Sequence, residues 1–190
     1  MTKKRLAPED WFIAGFEALA KSGPAGLKVE PIARDLQTTK GSFYWHFKDL
    51  SHFKKALLER WRVLATEDVI ASVQEVGTGG DRLVALTQKA TTATGDLASL
   101  KIETTIREWA RHDELAAETM AQIDAHRIKY VFDALEYEGP DKQTRAQLIY
   151  AAHLGLKLLR VSAGIKGRAE RHMLLNLLKI GEDNVHLQDK

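Results

Sequence analysis

Between positions 39 and 48 the chain reads Thr39-Lys40-Gly41-Ser42-Phe43-Tyr44-Trp45-His46-Phe47-Lys48, and seven of these ten side chains can donate a hydrogen bond. Only Phe43 and Phe47, four residues apart, have the spacing of a core-facing pair on a helix. A short helix so rich in donors suits an acceptor-rich partner such as phosphate oxygens and base edges. Its N-terminal end would also turn free backbone N–H groups and the positive end of its dipole toward phosphate. Taken singly, each donor has an ordinary explanation: Tyr44 and Trp45 as packing aromatics, His46 as a helix C-cap, Lys40 and Lys48 as solvated cations. Taken together, on one short helix behind a tight turn, packing does not account for them.

The elements that must position this segment are helical. Apolar residues recur at spacings of three and four, and no stretch sustains period-2 alternation. A first helix is expected over Pro8 to Ser22, with Phe12, Ile13, Phe16, Leu19 and Ala20 as its stripe and Gly23-Pro24 as its stop. A second runs near Pro31 to Gln37 with Ile32, Ala33 and Leu36 inward, and Thr38-Thr39 makes the turn. The third covers Lys40 to His46, and Asp49 caps a long fourth helix that continues to Val76 before Gly77-Thr78-Gly79-Gly80. Five more follow: from the cap Asp81 to Gly95, from Ser99 to Arg111, from the cap Asp113 to Gly139-Pro140, from Asp141 to Ala163, and from Arg168 to Ile180. The expected class is all-α with about nine helices, divided into a helix-turn-helix domain over 1–48 (with the start of helix 4 to about 65) and a helical domain over 49–190.

Charge divides the same way. Residues 1–62 hold twelve Lys and Arg against seven Asp and Glu, whereas residues 63–190 hold sixteen against nineteen. A basic head on a mildly acidic body points to a polyanionic partner for the head, although charge balance alone speaks only to non-specific attraction.

The segment Ile32-Ala33 followed by Thr39-Lys40-Gly41-Ser42-Phe43-Tyr44-Trp45-His46-Phe47 resembles the N-terminal domain of the TetR family of bacterial regulators. The family pattern is an Ile-Ala pair, a short gap with a turn, then Ser-x-Gly-[Ser/Thr]-[Leu/Phe]-Tyr-x-His-Phe. Order, spacing and residue type coincide over about 16 positions, and the flanking helices extend the fit to about the first 65 residues. The resemblance implies that Lys40 and Ser42 face base edges and that Gly41 lets the backbone approach closely. It implies that Thr39, Tyr44, Trp45, His46 and Lys48 hold phosphate or sugar. Lys3, Lys4 and Arg5 would form either a minor-groove arm or a plain basic tail. Two positions depart from the pattern. The turn, usually Ala-Gly-Val, is here Leu36-Gln37-Thr38, so Gln37 must adopt the glycine's conformation under strain. A family Lys at the start of the fourth helix is here Leu50, and Lys48 stands in for it.

The family's C-terminal part senses a small-molecule effector and forms a homodimer, and no motif in this chain identifies an effector. Candidate pocket residues are Trp61, Ile106, Trp109, Met120, Tyr130 and Tyr150, each equally readable as core. A candidate dimer face comprises Leu148, Ala152, Gly155, Leu156, Leu159 and Ala163 on the eighth helix, with Leu174 and Leu178 on the ninth. Such a dimer would bind a palindromic double-stranded DNA operator and be released by its effector through the fourth helix. The alternative is a helical ligand-binding protein that does not act through DNA.

Other classes find little support. The chain has no cysteine, so it has no thiol nucleophile or thiolate metal site. The histidines show no metal-ligand spacing, and no Ser/His/Asp set, phosphate loop or paired-carboxylate cluster stands out, so neither an enzyme nor a cofactor or metal is expected. No apolar run approaches the ~18 residues of a membrane span and no secretory leader is evident, which predicts a cytoplasmic protein.

Overall fold

A computed structural model describes residues 6–92, 96–164, 169, 170 and 173, with side chains in 87–92 and 96–100 and at 160 and 161 outside the description. The described residues form α1 (Pro8–Ser22), α2 (Val29–Asp35), α3 (Lys40–Tyr44), α4 (Leu50–Arg62), α5 (Asp68–Ala71), α6 (Gly79–Thr92), α7 (Asp96–Trp109), α8 (Glu114–Ala134) and α9 (Lys142–Ala163). A 3₁₀ turn, Pro24–Gly26, follows α1, and a π-helical turn, Val63–Glu67, follows α4. Among the described residues there is no strand, as the periodicity predicts. Of the helix expected over 168–180 only 169, 170 and 173 are described, each of them helical; Leu174 and Leu178 lie outside the described residues, as do Lys3, Lys4 and Arg5.

The chain divides into two compact units, one of Met1–Glu67 with Leu97–Ile123, the other of Asp68–Asp96 with Asp124–Lys190. The first unit is built on aromatic packing. Trp11, Phe43 and Phe53 are wholly buried, and Phe47 nearly so. Phe43 touches Trp11 edge-on at 5.4 Å between ring centroids, Phe53 at 5.5 Å and Phe47 at 5.2 Å. α1 lies close against α4 because Gly15 is buried: a Cβ there would stand 2.8 Å from Phe53 Cζ. Ile106 and Trp109 of α7 and Ala116, Met120 and Ile123 of α8 complete this core, and Lys54 Nζ lies 5.6 Å from the Trp109 ring. Glu103 is buried and takes a hydrogen bond from Arg107 at 3.1 Å.

Helix ends follow local chemistry. Pro8 occupies the first turn of α1, and the Ala7 N–H donates to Asp10 Oδ2 at 2.7 Å. Gly23, at φ +65°, ends the helix with its N–H bonded to the Leu19 carbonyl. Asp49 caps α4 as the sequence predicts, its Oδ1 accepting the His52 N–H at 2.7 Å.

The long fourth helix expected to reach Val76 is not continuous. α4 stops at Arg62, and the π turn intervenes before α5. Arg62 explains the register: its guanidinium binds Glu59 at 2.7 Å and Glu67, five residues onward, at 2.6 Å. Residues five apart diverge around an α-helix, and a π turn brings them to one face. The same guanidinium holds the Glu59 carboxyl below its ordinary range. Thr66, inside the turn, is 1% exposed and its hydroxyl has no hydrogen-bond partner.

In the second unit Leu83, Val131, Ala134, Ala146 and Ile149 form a smaller core. α8 ends at Ala134 rather than at Gly139, because Glu136 leaves the helix to accept the Gly79 N–H at 2.8 Å at the start of α6. These hydrogen bonds to Thr78, Gly80 and Gly79 lower the Glu136 pKa. α6 therefore begins at Gly79, ahead of the expected cap Asp81, whose carboxylate instead accepts the Thr78 N–H at 3.0 Å. Asp113 caps α8 as expected, its Oδ1 accepting the Ala116 N–H at 3.0 Å. On α9, Tyr150 donates its hydroxyl proton to Asp124 Oδ1 at 2.6 Å and accepts from Arg127 at 3.2 Å. Burial pushes the Tyr150 phenol up to about 12.

Two substitutions test these assignments by urea denaturation. Phe43→Ala is expected to cost about 3–5 kcal/mol, the range for emptying a packed aromatic site. Asp49→Ala is expected to cost about 1 kcal/mol, the usual loss of an N-cap. A Phe43→Ala midpoint equal to that of the parent would exclude the aromatic core as the support of α3.

Candidate nucleic-acid interface

α2 and α3 form the helix-turn-helix, and their junction is set by backbone hydrogen bonds. The Gln37 N–H donates to the Arg34 carbonyl at 2.9 Å and the Thr38 N–H to the Ala33 carbonyl at 2.8 Å. This pair is a Schellman closure, which needs a left-handed residue just beyond the helix. Gln37 occupies that place at φ +52°, the one non-glycine residue with positive φ among the described residues. The strain anticipated from the missing glycine is therefore present at that residue. α2 begins at Val29, two residues ahead of the expected Pro31, which sits in its first turn where no N–H is needed.

α3 spans five residues rather than the seven expected. Trp45 closes it, and the His46 and Phe47 N–H groups both donate to the Phe43 carbonyl at 2.9 and 3.0 Å. At its other end the Thr39 side chain accepts the Ser42 N–H at 3.4 Å, so one of the backbone donors expected to face outward is already used. A helix this short has little stability of its own, since isolated helices below ~12–15 residues are marginal in water. Phe43 and Phe47 hold it by burial, as their spacing predicts.

With those two rings inward, most of the donors face outward. Trp45 is 79% exposed and Tyr44 56%. Thr39, Lys40, Gly41 and Lys48 are exposed, while Ser42 and His46 are half-buried. The Tyr44 ring stands edge-on to Phe43 at 5.3 Å, so packing orients it without covering its hydroxyl end. A Cβ on Gly41 would meet nothing nearer than Thr39 Oγ1 at 3.6 Å, so no contact inside the described protein demands a glycine there. The Lys48 N–H donates to His52 Nδ1 at 3.1 Å, tying the end of this surface to the first turn of α4. Leu50, in place of a basic residue, is half-buried against the core. One charged residue escaped the sequence reading. Glu30, in the first turn of α2, pairs with Lys40 Nζ, and both side chains remain more than half exposed. Its position ten residues upstream carries no periodic signal; only the packing of α2 on α3 brings the two together.

The other candidates fall in two places. Trp61, Ile106, Trp109 and Met120 share the core of the first unit, and the Trp61 indole N–H is buried without a hydrogen-bond partner. Tyr130 and Tyr150 belong to the second unit. The Tyr130 hydroxyl is buried without a partner, and burial raises its pKa. On α9, Leu148 and Leu159 are 56% and 42% exposed, Ala163 is exposed, and Ala152, Gly155 and Leu156 are half-buried. Among the described residues, no three His, Cys, Asp or Glu side chains are grouped to hold a metal, and no helix is long and apolar enough to cross a membrane.

Solved structures share this architecture. A transcriptional regulator from Rhodococcus sp. Rha1 superposes with a TM-score of 0.77 at 18% identity, covering 93% of this chain and 97% of its own. The reduced form of Escherichia coli NemR gives 0.76 at 21%, covering 90% and 95%. A TetR-family transcriptional regulator from Agrobacterium tumefaciens gives 0.74 at 15%, covering 89% and 95%. No protein-family model matches the sequence, and no curated protein matches it. The chain has the all-helical fold of TetR-family transcriptional regulators, with a helix-turn-helix near its N-terminus.

Relieving the strained turn gives a direct check. Gln37→Gly is expected to stabilise the protein by about 1 kcal/mol, close to the left-handed penalty of a residue with a Cβ. A lower denaturation midpoint for this variant would show that Gln37 supplies a favourable contact outweighing its strain.

Proposed function

We propose that this chain is a TetR-family DNA-binding transcriptional regulator. It acts as a homodimeric repressor on a palindromic operator and is released by a small-molecule effector. The observation that carries the DNA-binding step is the division of the segment 39–48: buried Phe43 in α3 and Phe47 just beyond it anchor the segment, and Thr39, Lys40, Tyr44, Trp45 and Lys48 are exposed around the exposed Gly41. Ser42 and Lys40 then meet base edges, where lysine donates to guanine O6 or N7. Thr39, Tyr44, Trp45, His46 and Lys48 grip phosphate and sugar and fix the register. Gly41 keeps the helix flat where the DNA backbone approaches. The shared fold supports this reading, and the match of Ile32-Ala33 and Thr39–Phe47 to the family pattern supports it independently.

The body supplies pairing and control. The exposed leucines of α9 support a dimer formed through Leu148, Leu159 and the small residues between them. The buried and unpaired Trp61 N–H and Thr66 hydroxyl favour an effector that is largely apolar and carries a hydrogen-bond acceptor. Both groups stand at or beside the π turn that ends α4. An effector that binds one geometry of this turn better than another shifts the population of DNA-competent protein, and equal affinity for both would shift nothing. The interruption at Val63–Glu67 replaces the continuous fourth helix first expected to carry the signal.

Fluorescence anisotropy on random and genomic duplexes at low salt tests the DNA-binding step. The parent should bind both, and Tyr44→Ala should weaken binding to every sequence. Lys48→Ala should also weaken all complexes and lower the salt slope by about 1. Lys40→Ala should relax preference at one base-pair position by about 1–3 kcal/mol. Absence of binding to any duplex would instead favour a ligand-binding protein that works without DNA.

A further inference from the structure

Lys40 is the first residue of α3, at the positive end of its backbone dipole, an unfavourable place for a cation. Glu30 occupies the first turn of α2, where an anion is favourable, and the packing of α2 on α3 brings its carboxylate to Lys40 Nζ. The pair lies on the exposed surface, with side chains 56% and 59% accessible, so it is open to exchange with an external anion. Lys40 and Lys48 are the two cations of the segment 39–48, and the pairing leaves one of them uncompensated.

We propose that Glu30 is a specificity-determining residue that restrains Lys40 and so weakens binding to DNA lacking the operator. This rests on the DNA-binding function proposed above. A phosphate reaching for Lys40 must first displace a carboxylate already in place. On DNA that offers only phosphates, the exchange swaps one anion for another and releases no extra counterion. A guanine edge offers two acceptors in a fixed direction and no full negative charge to repel Glu30, so there the lysine can turn to the base while the carboxylate stays nearby. Glu30 thereby subtracts about one cation from the non-specific electrostatic footprint and leaves the directional contact available.

The test uses the full-length protein, a random-sequence DNA duplex and a salt titration. Glu30→Gln keeps the side-chain shape and frees Lys40. It should tighten binding to the random duplex on the order of tenfold at 0.1 M salt, and steepen the dependence of log K on log salt by about 0.9, the value of one added phosphate contact. Glu17→Gln, an exposed residue of α1, makes the same change in net charge and should have a much smaller effect. In a Lys40→Met background, Glu30→Gln should no longer steepen the slope, because the cation it frees is gone. Equal effects of Glu30→Gln and Glu17→Gln would overturn the proposal in favour of net charge. An unchanged effect in the Lys40→Met background would overturn it in favour of simple repulsion between Glu30 and DNA. A parent that binds no duplex at all would instead overturn the DNA-binding function itself.

Discussion

The burial of Phe43 among Trp11, Phe47 and Phe53 is the interaction on which the candidate interface depends. α3 has five residues, too few to be helical unaided, and it has one fully buried side chain. Edge-on packing against rings from α1 and α4 fixes both the place of α3 and its rotation. Because the helix is anchored along one narrow line, Lys40 and Tyr44 face outward. The same geometry that stabilises the short helix thus exposes Tyr44 and Trp45.

In each unit, helix ends are closed by residues that serve two elements at once. Glu136 ends α8 and caps α6, Arg62 bridges α4 and the π turn, and the Schellman closure at Gln37 joins α2 to the turn before α3. Shared groups of this kind couple the conformations of neighbouring segments, because neither end can relax without leaving backbone or charged groups unpaired. The π turn also holds the buried Thr66 hydroxyl, which has no hydrogen-bond partner. Such turns are frequent at functional sites, which fits a segment through which an effector would act.

Glu30 adds a different constraint. A recognition surface made only of donors would hold any polyanion, and discrimination requires some element that disfavours the wrong partner. An exposed carboxylate beside Lys40, the lysine proposed to meet a base edge, has that character. Its contribution to folding is small, as for exposed ion pairs generally, so its effect is expected in binding rather than in stability.

Much of the fold was legible from residue order alone. The bounds of α1, the inward placement of Phe43 and Phe47, the caps Asp49 and Asp113 and the strained Gln37 all follow from interactions spanning a few residues, which periodicity and turn chemistry capture. The resemblance to the TetR-family pattern also lies within one such local segment, from Ile32 to Phe47, and no family model matches the sequence. What only the tertiary structure decided involves partners far apart in sequence or a break in period. The π turn after Arg62, the early end of α8 at Ala134 and the pairing of Glu30 with Lys40 all rest on charged side chains. Each of these chains reaches a partner that helical periodicity does not supply: Glu67 across the π turn, Gly79 from Glu136, and Lys40 from Glu30. Apolar pattern determines which residues go inside; it carries no information about which charges meet once the helices have packed.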